Sequence, residues 1–237
     1  MGKTLLGFDL YGTLLSTASI ARALAEHYGP ERAESMQAVW RKYQLEYTWR
    51  LNSMKQYENF EAVTRKSLLH TLAEHQVEMR EEDVDSVMEA YDQLSTFPDV
   101  VPALQSLKET PYLEMVVFSN GTQRMLGNSV NGSQELKSIS SSFSQLVSVD
   151  NIQCYKPDPE AYRHLAECAG MAGQESQIWL VSGNPFDVVG ARAVGMNAAW
   201  VDRAGNGWQD RLGSEPTTII RDLGGLKELL ENLKAHQ

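Results

Sequence analysis

The sequence predicts an α/β fold in which a doubly wound parallel sheet carries an all-helical domain inserted after its first strand. Three observations lead there. Four short apolar or β-branched runs, "TLLGFDL" (4–10), "LEMVVFSN" (113–120), "QIWLVSGN" (177–184) and "NAAWVDR" (197–203), have the length and composition of strands. Helical patterns separate the later runs, and strand alternating with helix is how a parallel sheet is connected. Between the first and second runs, residues 16–97 hold helical patterns and no convincing strand.

Taken in order, the first run stops at Asp9 and a small-residue turn, "YGTL". The insertion then reads as helices over 31–51, 55–75 and 81–94; in the first, Met36, Val39, Tyr43, Tyr47 and Leu51 recur at three- and four-residue steps. "TFPDVVPAL" (96–104) leads back, its prolines stiffening the crossing. The expected division is therefore a core domain of 1–15 and 98–237 and a helical cap of 16–97. The serine-, glycine- and asparagine-rich stretch 127–145 reads as a weak helix between surface loops. A helix over 156–170 places Ala161, Leu165 and Ala169 at four-residue steps, and 187–195 ends in Gly195, suited to a helix C-terminus.

A chain of 237 residues, 42% hydrophobic and 22% charged, has the composition of a globular protein with a sizeable core. No apolar run approaches the roughly 18 residues of a membrane span. "MGKTLLGFDL" lacks the long apolar region of a secretory signal, and Cys154 and Cys168 lack metal or redox spacing, so the expectation is a cytoplasmic protein with packed thiols. A net charge of −10 argues against nucleic acid as a partner, yet leaves room for a small anion at a local arginine and lysine. Sequons at Asn120 and Asn131 carry no weight in that setting.

In an open parallel sheet, ligands bind beyond the carboxyl ends of the strands. The groups that should converge there are Asp9, Ser119, Asn120, Ser182, Asn184 and Asp187, with Lys156 from "YKPDPEAY". Singly, each has a plain alternative: Asp9 as a turn former, Asp187 as a charge favoured at a helix N-terminus, "SNGT" and "KPDP" as ordinary turns. Their coincidence at four strand ends of one fold class is what points to a site.

In the order "FDLYGTL", "VVFSNGT", "YKPDPEAY" and "SGNPFDVVGARAVGM", the chain resembles the haloacid dehalogenase superfamily, whose members have a Rossmann-like core with a cap inserted after the first strand. Most members are magnesium phosphohydrolases with a second acidic residue two positions after the nucleophile. Tyr11 stands there in this chain, and Gly183 stands where the fourth motif commonly has its first aspartate. Magnesium asks for octahedral oxygen ligation. These departures resemble the L-2-haloacid dehalogenase branch, as does "VWRKYQLEYTWRLNSM" (39–54), which aligns Arg41 with that branch's halide-binding arginine; periodicity alone reads Arg41 as a solvated helix residue.

The resemblance implies hydrolysis of short (S)-2-haloacids to 2-hydroxy acids with inversion, through an aspartyl ester, without metal or organic cofactor. Asp9 would be the nucleophile, Lys156 its balancing ammonium and Thr13 its orienting hydroxyl. Asp187, with Ser182 and Asn184, would handle the hydrolytic water. Arg41 and Asn120 would take the halide, while Ser119 and the backbone amides of Leu10, Tyr11 and Gly12 would take the substrate carboxylate. Tyr11, Phe186, Tyr162, Phe60 and Trp40 are candidates for an apolar wall, of which Tyr11 and Phe186 lie inside motifs. The rival readings are a magnesium-dependent phosphatase and a non-catalytic binder of small carboxylates. The expected partners are a small carboxylate, no nucleic acid, no membrane, and a second copy through aromatic-rich cap helices.

Overall fold

The computed structural model describes residues 3–235; residues 1, 2, 236 and 237, given above to the core, lie outside the described residues. After β1 (Thr4–Phe8) come α1 (Ala21–Tyr28), α2 (Pro30–Met54), α3 (Phe60–Glu74) and α4 (Glu81–Tyr91). The sheet resumes after α5 (Val100–Lys108) with β2 (Leu113–Ser119), α6 (Gln123–Gly127), β3 (Phe143–Ser148), α7 (Pro159–Cys168) and β4 (Ile178–Ser182). It closes with α8 (Pro185–Ala193), β5 (Asn197–Val201), β6 (Thr218–Ile220) and α9 (Leu226–Ala235).

The strands form one parallel sheet in the order β3-β2-β1-β4-β5-β6. The chain winds outward from β1 in both directions, so the crevice where strand order reverses lies at the carboxyl end of β1. Strands β1 and β4 are buried almost throughout, as continuous apolar runs covered on both faces should be. Two strands were not legible in the sequence. β3 begins at the end of the stretch 127–145 read as a weak helix between loops and runs past it: α6 ends where that stretch starts and leads into a single π turn over Asn128–Gly132, while 143–148 extends along β2. As an edge strand, β3 tolerates Ser144 and Gln145 on exposed positions, which erased its apolar signature. β6 has only three residues, partly exposed.

The insertion is helical, but α1 is an additional helix, α3 starts only at Phe60, and α2 buries Met36, Trp40, Gln44, Thr48 and Leu51 while Val39, Tyr43 and Tyr47 of the periodic stripe are only half-buried. Pro30 opens α2 and Asn59 caps α3 by accepting from the Ala62 amide at 2.9 Å. Trp40 is buried between these helices, its indole N–H donating to the Thr64 carbonyl at 2.9 Å. The cap's apolar cluster is continuous with that of the sheet: Tyr11 packs at 5.7 Å from Phe60 and 5.5 Å from Tyr91, ring centre to ring centre. The returning segment is pinned where Asp99 accepts from Arg203 Nε and Nη2 (3.1 and 2.8 Å) and from the Leu223 amide (2.9 Å). Among the described residues no helix is long and apolar enough to cross a membrane.

Helices α7 and α8 approach closely at Gly190, where a β-carbon would lie 2.3 Å from the Tyr162 hydroxyl oxygen. Gly190→Ala must therefore push Tyr162 out of its slot. Urea unfolding should show a loss of about 1–3 kcal/mol, the usual cost of overpacking a close-packed interior; an unchanged midpoint would mean that α8 is free to shift.

Candidate active site

Asp9 is the first residue beyond β1, and its amide still donates to the Val181 carbonyl at 3.0 Å, so its backbone is set by the sheet. The next residues fold back sharply, the Leu10 carbonyl accepting from the amides of Thr13, Leu14 and Leu15. This turn puts Thr13 beside the Asp9 carboxylate. Gly12 is part of it at φ 88°, a conformation that favours glycine. Its amide is committed to the Leu15 carbonyl at 2.7 Å, so the expected three-amide nest is corrected: Leu10 and Tyr11 are left as the turn's donors.

The Asp9 carboxylate is held from three sides. Oδ1 accepts from Lys156 Nζ at 3.1 Å, and Oδ2 accepts from Thr13 Oγ1 at 2.6 Å and Asn184 Nδ2 at 2.8 Å. Thr13 is itself fixed, its hydroxyl oxygen accepting from the Gly183 amide at 2.9 Å. Gly183 is needed here: a β-carbon on it would sit 2.5 Å from the Gly12 carbonyl oxygen. The fourth-motif position that lacks an acidic residue thus has no room for any side chain.

Lys156 is fully buried, and each ammonium hydrogen has a partner: Asp9 Oδ1 at 3.1 Å, Asp187 Oδ2 at 3.0 Å and the Phe118 carbonyl at 2.8 Å. Asp187, in the first turn of α8, is equally buried, and its Oδ1 accepts from the Tyr162 hydroxyl at 2.9 Å. Burial pushes the Asp187 carboxyl above the ordinary aspartate range, and the neighbouring Asp9 charge adds to this. Lys156 and the Tyr162 hydroxyl pull the other way.

Arg41 arrives from the cap. One guanidinium nitrogen donates to Gln44 Oε1 at 2.7 Å, and the other faces the core, donating to the Tyr11 carbonyl at 3.2 Å and Asn184 Oδ1 at 3.3 Å. Gln44 is oriented by Thr64 and Tyr91. Asn184 therefore joins Asp9, the first turn and the cap arginine, since its Nδ2 also donates to the Tyr11 carbonyl at 2.9 Å. The sequence had placed Asn184 with the hydrolytic water; the structure places it against Asp9.

The remaining candidates are less direct. Ser182 Oγ accepts from the Asn184 amide at 3.1 Å, so it shapes the turn that presents Asn184 and, among the described residues, makes no hydrogen bond to Asp9 or Asp187. Ser119 Oγ accepts from the Gly121 amide at 3.1 Å, and Asn120 Oδ1 accepts from the Lys156 amide at 3.0 Å. Leu10 is a core side chain. Phe186 is half-buried and meets Trp49 of α2 edge to face, centroids 5.5 Å apart, across the seam between cap and core.

Tyr11 does not stand in for a carboxylate beside Asp9. Its ring is packed among Phe60, Tyr91, Gly121 and Leu126, and burial pushes its phenol far above the ordinary range, so it is a neutral wall. Tyr162, considered only as a wall, is instead a hydrogen-bond donor to Asp187. Its signal was a tyrosine among Ala161 and Leu165 on the inward face of a helix, where a hydroxyl requires a partner.

The donors at this site do not suit a magnesium ion. An ammonium occupies the space between the two carboxylates, a phenol and a glycine replace the other acidic positions, and among the described residues no group of three or more His, Cys, Asp or Glu could hold a metal.

A family model described as haloacid dehalogenase-like hydrolase matches residues 4–195. An (S)-2-haloacid dehalogenase of Pseudomonas putida is 35% identical, covering 94% of this chain and 96% of its own. A haloacetate dehalogenase of Moraxella sp. (strain B) is 32% identical, covering 95% and 96%. The solved L-2-haloacid dehalogenase of Xanthobacter autotrophicus with chloropropionic acid covalently bound superimposes with a TM-score of 0.87, at 30% identity over 98% of this chain and all of the other. With the buried Asp9–Lys156–Asp187 arrangement and these likenesses along nearly its whole length, the chain belongs to the haloacid dehalogenase-like hydrolases, in the branch of the (S)-2-haloacid dehalogenases.

Proposed function

We infer that this chain is a hydrolase of carbon–halogen bonds, an (S)-2-haloacid dehalogenase that converts short 2-haloalkanoic acids to 2-hydroxy acids. The observation that carries the reading is the carboxylate of Asp9, a residue 6% exposed, held by Lys156, Thr13 and Asn184, with a cap arginine on the same wall. In our reading residues 16–97 form the cap, residues 1–15 and 98–237 the core, and the enzyme works in the cytoplasm without metal or organic cofactor. A homodimer is proposed through the cap, where Trp49, Met54 and Leu69 are exposed.

An Asp9 oxygen attacks C2 from the side opposite the halogen. The C–O bond forms as the carbon–halogen bond breaks and the halide leaves with its electron pair, giving an ester with inverted configuration. Arg41 and the Nδ2 donor of Asn120 stabilise the departing anion, a charge that grows toward the transition state. The amides of Leu10 and Tyr11, with Ser119, hold the substrate carboxylate. Water then attacks the carbonyl carbon of the Asp9 ester, Asp187 taking its proton. The acyl–oxygen bond breaks as the proton held by Asp187 passes to the departing alkoxide, giving the 2-hydroxy acid, and the second water hydrogen is released from Asp9 to solvent, restoring both carboxylates, so C2 is displaced only once. Tyr11 and Phe186 keep bulk water from the halogen side.

Incubation with (S)-2-chloropropionate in EDTA should release chloride. Asp9→Asn should lose that turnover by about a thousandfold or more and Arg41→Ala by about a hundredfold, as loss of a nucleophile and of a preorganised charge donor does. Absence of halide release alongside magnesium-dependent hydrolysis of a phosphomonoester would contradict the assignment.

The raised Asp187 carboxyl fixes a pH dependence. Its ionised form is the base, so ester hydrolysis is complete above its pKa and is lost as pH falls through it. Single-turnover hydrolysis should show an acid limb above the ordinary aspartate value of about 3.9. Tyr162→Phe removes the hydrogen bond to Oδ1 and should move that limb to higher pH; a limb that stays or moves down would remove Asp187 from the step.

A further inference from the structure

The loop that carries Lys156 is held by the cap as well as by the core. Near the end of α2, the Asn52 carboxamide makes a two-point pair with the backbone of Tyr155: Nδ2 donates to the Tyr155 carbonyl at 2.6 Å, and Oδ1 accepts from the Tyr155 amide at 3.0 Å. The next amide, of Lys156, donates to Asn120 of the core at 3.0 Å. Both peptide groups of Tyr155 are thereby fixed immediately before the residue whose ammonium lies between Asp9 and Asp187.

Asn52 is also in register with Arg41. The two lie on the same helix, and their spacing of about three turns puts both on one face, roughly 16 Å apart along the axis. Helix α2 ends just beyond, at left-handed Lys55, whose amide and that of Gln56 turn back to the carbonyls of Asn52 and Leu51, so Asn52 sits on a capped last turn. One rigid rod therefore fixes the arginine at one end and the lysine loop at the other.

We propose that Asn52 is a positioning residue for the reaction, its carboxamide setting the Lys156 loop against the same cap helix that delivers Arg41. The proposal rests on the reading that Lys156 serves Asp9. The rest of Tyr155 has its own cap contacts: its ring packs at 5.2 Å from Tyr57 and 6.2 Å from Phe60, and its hydroxyl donates to the Glu58 carbonyl at 2.5 Å. Truncating Asn52 thus leaves the cap seated and Arg41 in place while freeing the backbone before Lys156. A displacement near 1 Å at a reacting group is enough to cost up to about a hundredfold in rate.

The test is steady-state halide release from (S)-2-chloropropionate by the full-length protein and its variants, with folding checked by circular dichroism and thermal midpoint. Asn52→Ala is expected to lower kcat about tenfold with KM within about threefold, because the contacts that bind substrate stay put. Asn52→Asp keeps an acceptor for the Tyr155 amide but sets a carboxylate oxygen against the Tyr155 carbonyl where the donor stood, so its kcat should fall at least as far as that of the alanine variant; it carries the test if the alanine variant does not fold. A kcat within twofold of the parent in the folded variant, or a loss borne by KM as a loosened cap would give, overturns the proposal. If the parent protein itself releases no halide, what fails is the assignment of function, and the two failures are separable.

Discussion

The ammonium of Lys156 between Asp9 and Asp187 is the interaction on which the rest of the site depends. Taking three charged groups out of water costs several kcal/mol for each ion, repaid only when geometry is close and every donor is satisfied. Here the third donor goes to the Phe118 carbonyl, and the outer oxygens of the carboxylates are taken up by Thr13, Asn184 and Tyr162. This demands that the ends of β1, β2 and β4 and the loop before α7 meet within hydrogen-bonding distance. The parallel register of the central strands does that. Removing one member leaves a buried charge unmatched, so substitutions here act on stability as well as on rate.

The same arrangement explains what happened to the two vacated acidic positions. Where a metal site would spend carboxylates, this chain places a packed phenol at Tyr11 and a backbone approach at Gly183 that tolerates no β-carbon. Lysine supplies positive charge from within the protein, and the cap adds a second cation through Arg41. Lys156 thus meets Asp9 directly, and Arg41 meets Asn184, which also holds Asp9. The cap helix α2 carries one and, through Asn52, braces the other.

Much of this was legible in the sequence because it follows from local chemistry. Asp9, Lys156 and Asp187 gain meaning from their convergence at strand ends, Arg41 only from the resemblance of 39–54 to a known family, and β1, β2, β4 and β5 are dense in apolar residues. What escaped was what depends on long-range packing. β3 looked like a serine-rich loop because half of an edge strand may face water without penalty. The contacts of Asn184 to Asp9, the Tyr11 carbonyl and Arg41 show only when β4, the first turn and the cap are assembled. Tyr162 reads from the sequence only as a candidate wall residue and Asn52 carries no signal, and only a buried hydroxyl or carboxamide seen against its partner reveals a role.

The central claim is that Asp9, held by Lys156, is the atom donor that displaces the halide. Its most direct test is a single turnover in water enriched in oxygen-18, with enzyme in excess over (S)-2-chloropropionate, followed by mass spectrometry of the product and of the Asp9 peptide. Because water would attack the aspartyl carbonyl and not C2, the label should appear in Asp9 while the 2-hydroxy acid carries unlabelled oxygen at C2. Label in the product with none in Asp9 would mean that water attacks carbon directly, and would contradict the account.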